Sequence, residues 1–153
     1  MAAPSPAPTR SASRRKPVLL KKEPYQPRQA SGFAILEGAR QGVETFRADA
    51  LAELLGLTLK ELAPILQVAE STLHRLRREG RLDVPTSERL LLLENLAAHG
   101  LAIFDNNAEA LARWFRHPLR ELKGAAPVDL LTSISGFGLV DDVLTRIEYG
   151  VYA

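Results

Sequence analysis

The chain is 153 residues long, room for one ordinary domain or two small ones plus some unstructured sequence. Hydrophobic residues at 46% are enough for a real core, and the absence of cysteine excludes disulfides, thiolate nucleophiles and zinc–thiolate sites. No apolar run approaches the roughly 18–20 residues that span a bilayer, and the composition suits a cytoplasmic protein.

The formal net charge of +2 is unevenly spread. Residues 1–30 carry seven Lys/Arg and one acid, Glu23, while the other 13 basic and 17 acidic groups leave residues 31–153 at −4. A nucleic-acid role for the folded part must therefore rest on local geometry, not on overall charge. Six of the ten prolines also fall in residues 1–30. Such a stretch buries too little apolar surface to offset its ordering entropy, so residues 1–32 are expected to form a disordered basic tail. Its apolar run, Val18-Leu19-Leu20, is too short for the roughly 7–15-residue core of a secretion signal. The tail is either a solvated linker or a source of non-specific phosphate attraction.

From Ala39 the pattern turns helical. In "VETFRADALAELLGL", Val43, Phe46, Ala50, Leu51, Leu54 and Leu55 recur at three- and four-residue spacings, which predicts an amphipathic helix ending near Gly56. Thr58 and Glu61 form a capping-box pair that opens a second helix through about Leu66, with Pro64 awkwardly inside it. A third helix is expected from about Ser71 to Glu79, stopped by Gly80. "TSERLLLLENLAAHGLAIF" predicts a longer, more apolar helix, and Asn107 caps the next one, which ends at His117-Pro118. Pro127 sits where a helix commonly starts, Gly136-Phe137-Gly138 reads as a turn, and "FGLVDDVLTRIEYG" makes the last helix. No segment alternates with period two, so the fold class is all-α. A helix-turn-helix domain is expected over residues 39–98 and a small helical domain over 99–153.

On a wheel, Leu73 and Leu76 mark the inward side of the third helix. Ser71, His74, Arg75 and Arg78 lie outward with Thr72 on the flank, a set able to reach phosphates and guanine edges in a major groove. A solvated basic face on an ordinary helical hairpin would present the same residues. Ala63, Val68, Leu73 and Leu76, however, occupy the four positions where a helix-turn-helix needs a small residue, a turn hydrophobe and two core residues. The segment resembles the Xre/Cro-type helix-turn-helix. Gln67 stands where that motif usually has glycine, and Pro64, Glu70 and Glu79 are further departures, which point to weak DNA binding or a need for a dimer.

The second half runs through "IFDNNAEALARWFRHP", "LKGAAPVDLLTSISGFG" and "VDDVLTRIEYGVYA". This order resembles the toxin-binding domain of the Xre/MbcA/ParS antitoxins (the DUF2384 type). Gly124, Pro127, Asp129, Leu130, Leu131, Ile147, Glu148 and Gly150 carry most of the likeness. The resemblance implies an antitoxin that binds a cognate RES-domain toxin, an NAD-degrading enzyme, and occludes its active site with the C-terminal end. It also implies autorepression through operator double-stranded DNA, with the protein as a homodimer. Glu148, Tyr149, Gly150, Val151, Tyr152 and Ala153 are the expected toxin contact, because aromatics with a polar tip favour interfaces. The same tyrosines could instead pack on their own domain. Trp114 and Phe115 are expected in the core, and Asp141, Asp142 and Glu148 are either a solvated face or a match for a cationic pocket.

Catalytic chemistry is not legible. His74, His99 and His117 lie on different helices without repeated spacing, so no metal site is expected. Asp141 and Asp142 are neighbours that point apart on a helix, and no nucleophile with a base is discernible. The chain reads as a non-enzyme without cofactor. Two alternatives stand beside the antitoxin reading: a stand-alone transcriptional regulator, and a protein-interaction adaptor that does not touch DNA.

Overall fold

Helix boundaries in this protein follow local capping chemistry. The computed structural model describes residues 2–5 and 24–150; the expectations placed on the rest of the tail and on Val151, Tyr152 and Ala153 lie outside the described residues. Within them the helices are α1 (Gly32–Gln41), α2 (Thr45–Leu55), α3 (Leu59–Ile65), α4 (Glu70–Glu79), α5 (Val84–Ile103), α6 (Ala108–Arg116), α7 (Pro127–Leu130) and α8 (Ile134–Glu148), with a 3-10 turn at Arg120–Leu122. The described residues are thus all-α, and no helix among them is long and apolar enough to cross a membrane.

The expected caps are in place. Thr58 and Glu61 satisfy each other's backbone N–H groups at the start of α3, and Asn107 accepts from the Ala110 N–H at 3.0 Å. Gly56 and Gly80 close α2 and α4 in the left-handed conformation. Pro64 falls in the last turn of a seven-residue helix, where only one intrahelical bond is forfeited.

Four expectations need correction. The disordered stretch was expected to reach residue 32, yet Pro24 to Ala30 lies across α5: the Tyr25 hydroxyl donates to Glu94 at 2.8 Å, and Ala30 and Asn95 exchange two hydrogen bonds. Helix α1 then begins at Gly32, well before Ala39, and buries only Ile35 and Ala39, so its apolar period is faint. Phe46 is 50% exposed and does not share the buried face of α2. Gly136-Phe137-Gly138 is the first turn of α8, not a turn before it. A Cβ on Gly136 would lie 1.6 Å from the Leu130 carbonyl oxygen, so glycine stands there to let α8 approach the end of α7.

Helix α5 is the axis of the molecule. It packs α1 on one side and α8 on another, and its Leu90, Leu93, Leu96 and Ala97 are almost fully enclosed. One hydrophobic core continues from Leu51, Leu62 and Leu73 through α5 to Leu111, Phe115, Leu131 and Leu144. The boundary expected between residues 98 and 99 therefore falls inside a shared helix. Both halves are tied further by Arg116, which grips the Glu61 carboxylate with two N–H groups at 2.8 and 2.9 Å.

Candidate functional site

Two surfaces carry candidate chemistry. The first is built on α3, its following turn and α4. Leu73 and Leu76 are buried on the inner side of α4, Ala63 is enclosed beneath them, and the Val68 N–H donates to the Ala63 carbonyl at 3.0 Å. These contacts set α4 against α3 in the manner the spacing predicts. Gln67 adopts the left-handed conformation, with φ of 58°, at the position where the motif favours glycine. Its side-chain amide donates to the carbonyls of Pro64 at 2.9 Å and Thr132 at 2.8 Å.

On the outer side of α4, Ser71, His74, Arg75 and Arg78 are exposed and Thr72 is half-buried, so the five residues selected from sequence share one accessible face. That face is partly neutralised. Arg75 pairs with Glu79 at 3.1 Å, His74 stands 3.8 Å from Glu70, and Arg77 reaches Asp49 on α2 at 2.9 Å. Arg78 makes no ion pair among the described residues. Exposed pairs of this kind are worth roughly 0–1 kcal/mol, little enough for a phosphate to displace Glu79 from Arg75. The Arg77–Asp49 pair instead braces α4 on α2, a role that sequence reasoning did not assign.

A buried acid lies behind this surface. Glu94, 3% exposed, accepts from the Tyr25 hydroxyl and from two N–H groups of the Arg47 guanidinium, at 3.0 Å for Nε. Burial, and then the Glu94 charge, push the Tyr25 phenol far above its usual range. The network anchors the segment before α1.

The second surface is the end of α8. Tyr149, the C-cap, is 74% exposed, and Gly150 has φ of 66°, which turns the chain away from the helix. Beside Tyr149 runs a groove of about 590 Å³ between α5 and α8, with Leu92, Leu96, Ile134 and Phe137 among its apolar lining. His99 lies at its edge, only 8% exposed. Its Nδ1 is 2.7 Å from Asp141 and its Nε2 is 3.0 Å from Glu148. Burial alone would lower the pKa of the ring, but the hydrogen bonds and charges of Asp141 and Glu148 outweigh it and the net shift is upward. Glu148, selected for the partner contact, is thus already engaged within the chain. The sequence separations of 42 and 49 residues hid this trio. Phe115 is buried as expected, while Trp114 is half-buried, its ring 6.0 Å from Phe104 and 5.5 Å from Phe115.

Comparison with known proteins matches both halves. Residues 35–95 fit the family described as the antitoxin Xre-like helix-turn-helix domain, so α1 counts with the helix-turn-helix half. Residues 99–150 fit the antitoxin Xre/MbcA/ParS C-terminal toxin-binding domain. A curated relative, "Antitoxin Xre" of Photorhabdus laumondii, is 26% identical over 78 residues, covering 51% of this chain and 53% of that protein. The chain therefore spans about half the length of that curated relative. Two matches that follow one another in this order, over a fold with one continuous core, establish that the chain belongs to the Xre/MbcA/ParS antitoxin family.

Proposed function

We propose that this protein is an antitoxin with two working surfaces. The C-terminal end binds a cognate RES-domain toxin and blocks its NAD-degrading active site, and α4 docks on operator DNA so that the protein, as a homodimer, represses its own operon. The observation that carries this reading is the pairing on one chain of a helix-turn-helix match with a toxin-binding-domain match. Their exposed elements are separate: Arg75 and Arg78 on α4, Tyr149 and Gly150 at the end of α8. Inhibition of this kind is steric and asks no catalysis of the blocker.

Truncating Tyr149–Ala153 tests the division of labour. Cells expressing the toxin should no longer be protected, while promoter binding stays intact. Full protection by the truncated chain would remove the C-terminal contact from the mechanism. One observation favours a second reading, an adaptor without DNA binding: Arg75, Arg77 and His74 each face an acid. Salt-sensitive binding of the purified protein to its own promoter separates the two, since an adaptor would show none.

A further inference from the structure

Asp141 and Glu148 stand seven residues apart on α8, close to two full turns, so they project from one face. That face meets α5, and His99 fills the gap between the two carboxylates. With an acceptor at each nitrogen, the imidazole is satisfied only as the doubly protonated cation. No other charged side chain lines this part of the groove: Gln29 and Asn95 are neutral amides, Thr145 carries a hydroxyl, and Tyr149 offers a phenol at the rim.

The buried apolar residues of α8 end at Leu144. Beyond it Ile147 is only half-buried, Arg146 is exposed and Tyr149 projects into solvent. The side-chain hydrogen bond that holds the last turn is therefore the one from His99 to Glu148, the final residue of the helix. We infer that His99 is the positioning residue of the C-terminal contact: by pinning Glu148 it fixes the last turn of α8, and with it the direction in which Tyr149 and Gly150 lead the chain away. The inference rests on the reading of that end as the toxin contact. It gives a function to a histidine that belongs to neither working surface.

The clasp has a pH signature. A ring held as a cation is fully engaged below the ordinary histidine range and is released as pH rises through its upward-shifted value, when one carboxylate loses its donor. The test uses the full chain as wild type, His99→Gln and Asp141→Asn, together with a chain ending at Glu148. Tyr149 and Gly150 amide order is read by NMR relaxation on the free protein, and affinity is measured against the co-purified RES-domain toxin between pH 6 and 9. His99→Gln should loosen the Tyr149 amide and weaken toxin binding about three- to tenfold, the scale of ordering one or two free side chains. Promoter binding should be unchanged. The wild-type affinity should fall as pH rises, His99→Gln should be flat, and Asp141→Asn, which keeps the shape but removes one anion, should move the midpoint to lower pH. Equal order at Tyr149 and identical pH profiles in wild type and Asp141→Asn would overturn the inference, even if His99→Gln itself fails to fold. Full toxin binding by the chain ending at Glu148 would instead remove the terminal contact, and the relaxation data on the free protein would still decide whether His99 holds the helix end.

Discussion

The side-chain amide of Gln67 lies 2.8 Å from the carbonyl oxygen of Thr132, joining the turn between α3 and α4 to the loop before α8. This bond explains why a non-glycine residue is tolerated at a φ of 58°. The left-handed conformation costs about 1–2 kcal/mol for a residue with a Cβ, and each hydrogen bond returns about 0.5–1.5 kcal/mol. Gln67→Ala keeps the strain and loses both side-chain bonds, so it should destabilise by about 1–2 kcal/mol. Gln67→Gly loses the bonds but relieves the strain, and should fall between wild type and alanine. Urea midpoints of the three proteins check the order; a glycine variant more stable than wild type would mean that the two side-chain bonds return less than the strain costs.

Gly136 and Gly138 are two residues apart in α8 and so face opposite sides of the helix. A Cβ at Gly136 meets the Leu130 backbone, which cannot swing aside, whereas at Gly138 nothing lies within 4 Å. Gly136→Ala should therefore destabilise by about 3 kcal/mol or more, at the upper end of overpacking costs. Gly138→Ala, inside an α-helix and free of contacts, should stabilise by about 0.5–1 kcal/mol. Thermal unfolding of both variants separates a helical assignment from a turn, which would tolerate alanine equally badly or well at either position.

What could be read in the sequence was local. Thr58 and Glu61, Asn107 and Pro127 act within one helical turn, and each marks a helix start that the structure contains. The helix-turn-helix was legible for the same reason, because Ala63, Val68, Leu73 and Leu76 lie within fourteen consecutive residues (63–76). Helix α1 was not, since its close seat on α5 depends on Gly38 against Leu91, while Phe33 and Leu36 face outward and blur the period. Gly136 looked like a turn glycine because its true constraint, the Leu130 carbonyl, comes from tertiary packing. The His99 clasp and the Tyr25–Glu94–Arg47 network join residues 42 to 69 positions apart, beyond any spacing rule.

On α4 the arginines should separate by role. Replacing Arg75 or Arg78 with alanine removes an exposed donor and should leave stability within about 0.5 kcal/mol of wild type. If each contacts a phosphate, promoter affinity should drop for all sequences alike, with the salt slope reduced by about one per residue. Arg77→Ala should behave differently, because Arg77 braces α4 against Asp49 on α2. It should lower thermal stability as well as affinity. Titrations of promoter DNA at several salt concentrations, beside melting curves, distinguish the two patterns. An Arg75/Arg78 double variant with unaltered promoter binding would show that this face of α4 is not the DNA contact.

Acid should loosen the joint between the two halves before it unfolds the core. The two N–H groups of Arg116 and the Thr58 backbone N–H pull the Glu61 carboxyl from its ordinary 4.5 down to about 2. A depressed carboxylate stabilises the fold fully at pH values above its unfolded range, and that contribution is lost as pH falls through the folded value. The window is therefore pH 4.5 to about 2. Glu61 is partly exposed, so the effect is screened and should weaken with salt. Arg116→Ala should lower stability at neutral pH and flatten its dependence on pH across this window, while Glu61→Gln removes the titration altogether. Unfolding midpoints taken from pH 7 to pH 2.5 at low and high salt are the check: parallel curves for wild type and Arg116→Ala would show that the Glu61–Arg116 grip does not hold α6 to α3.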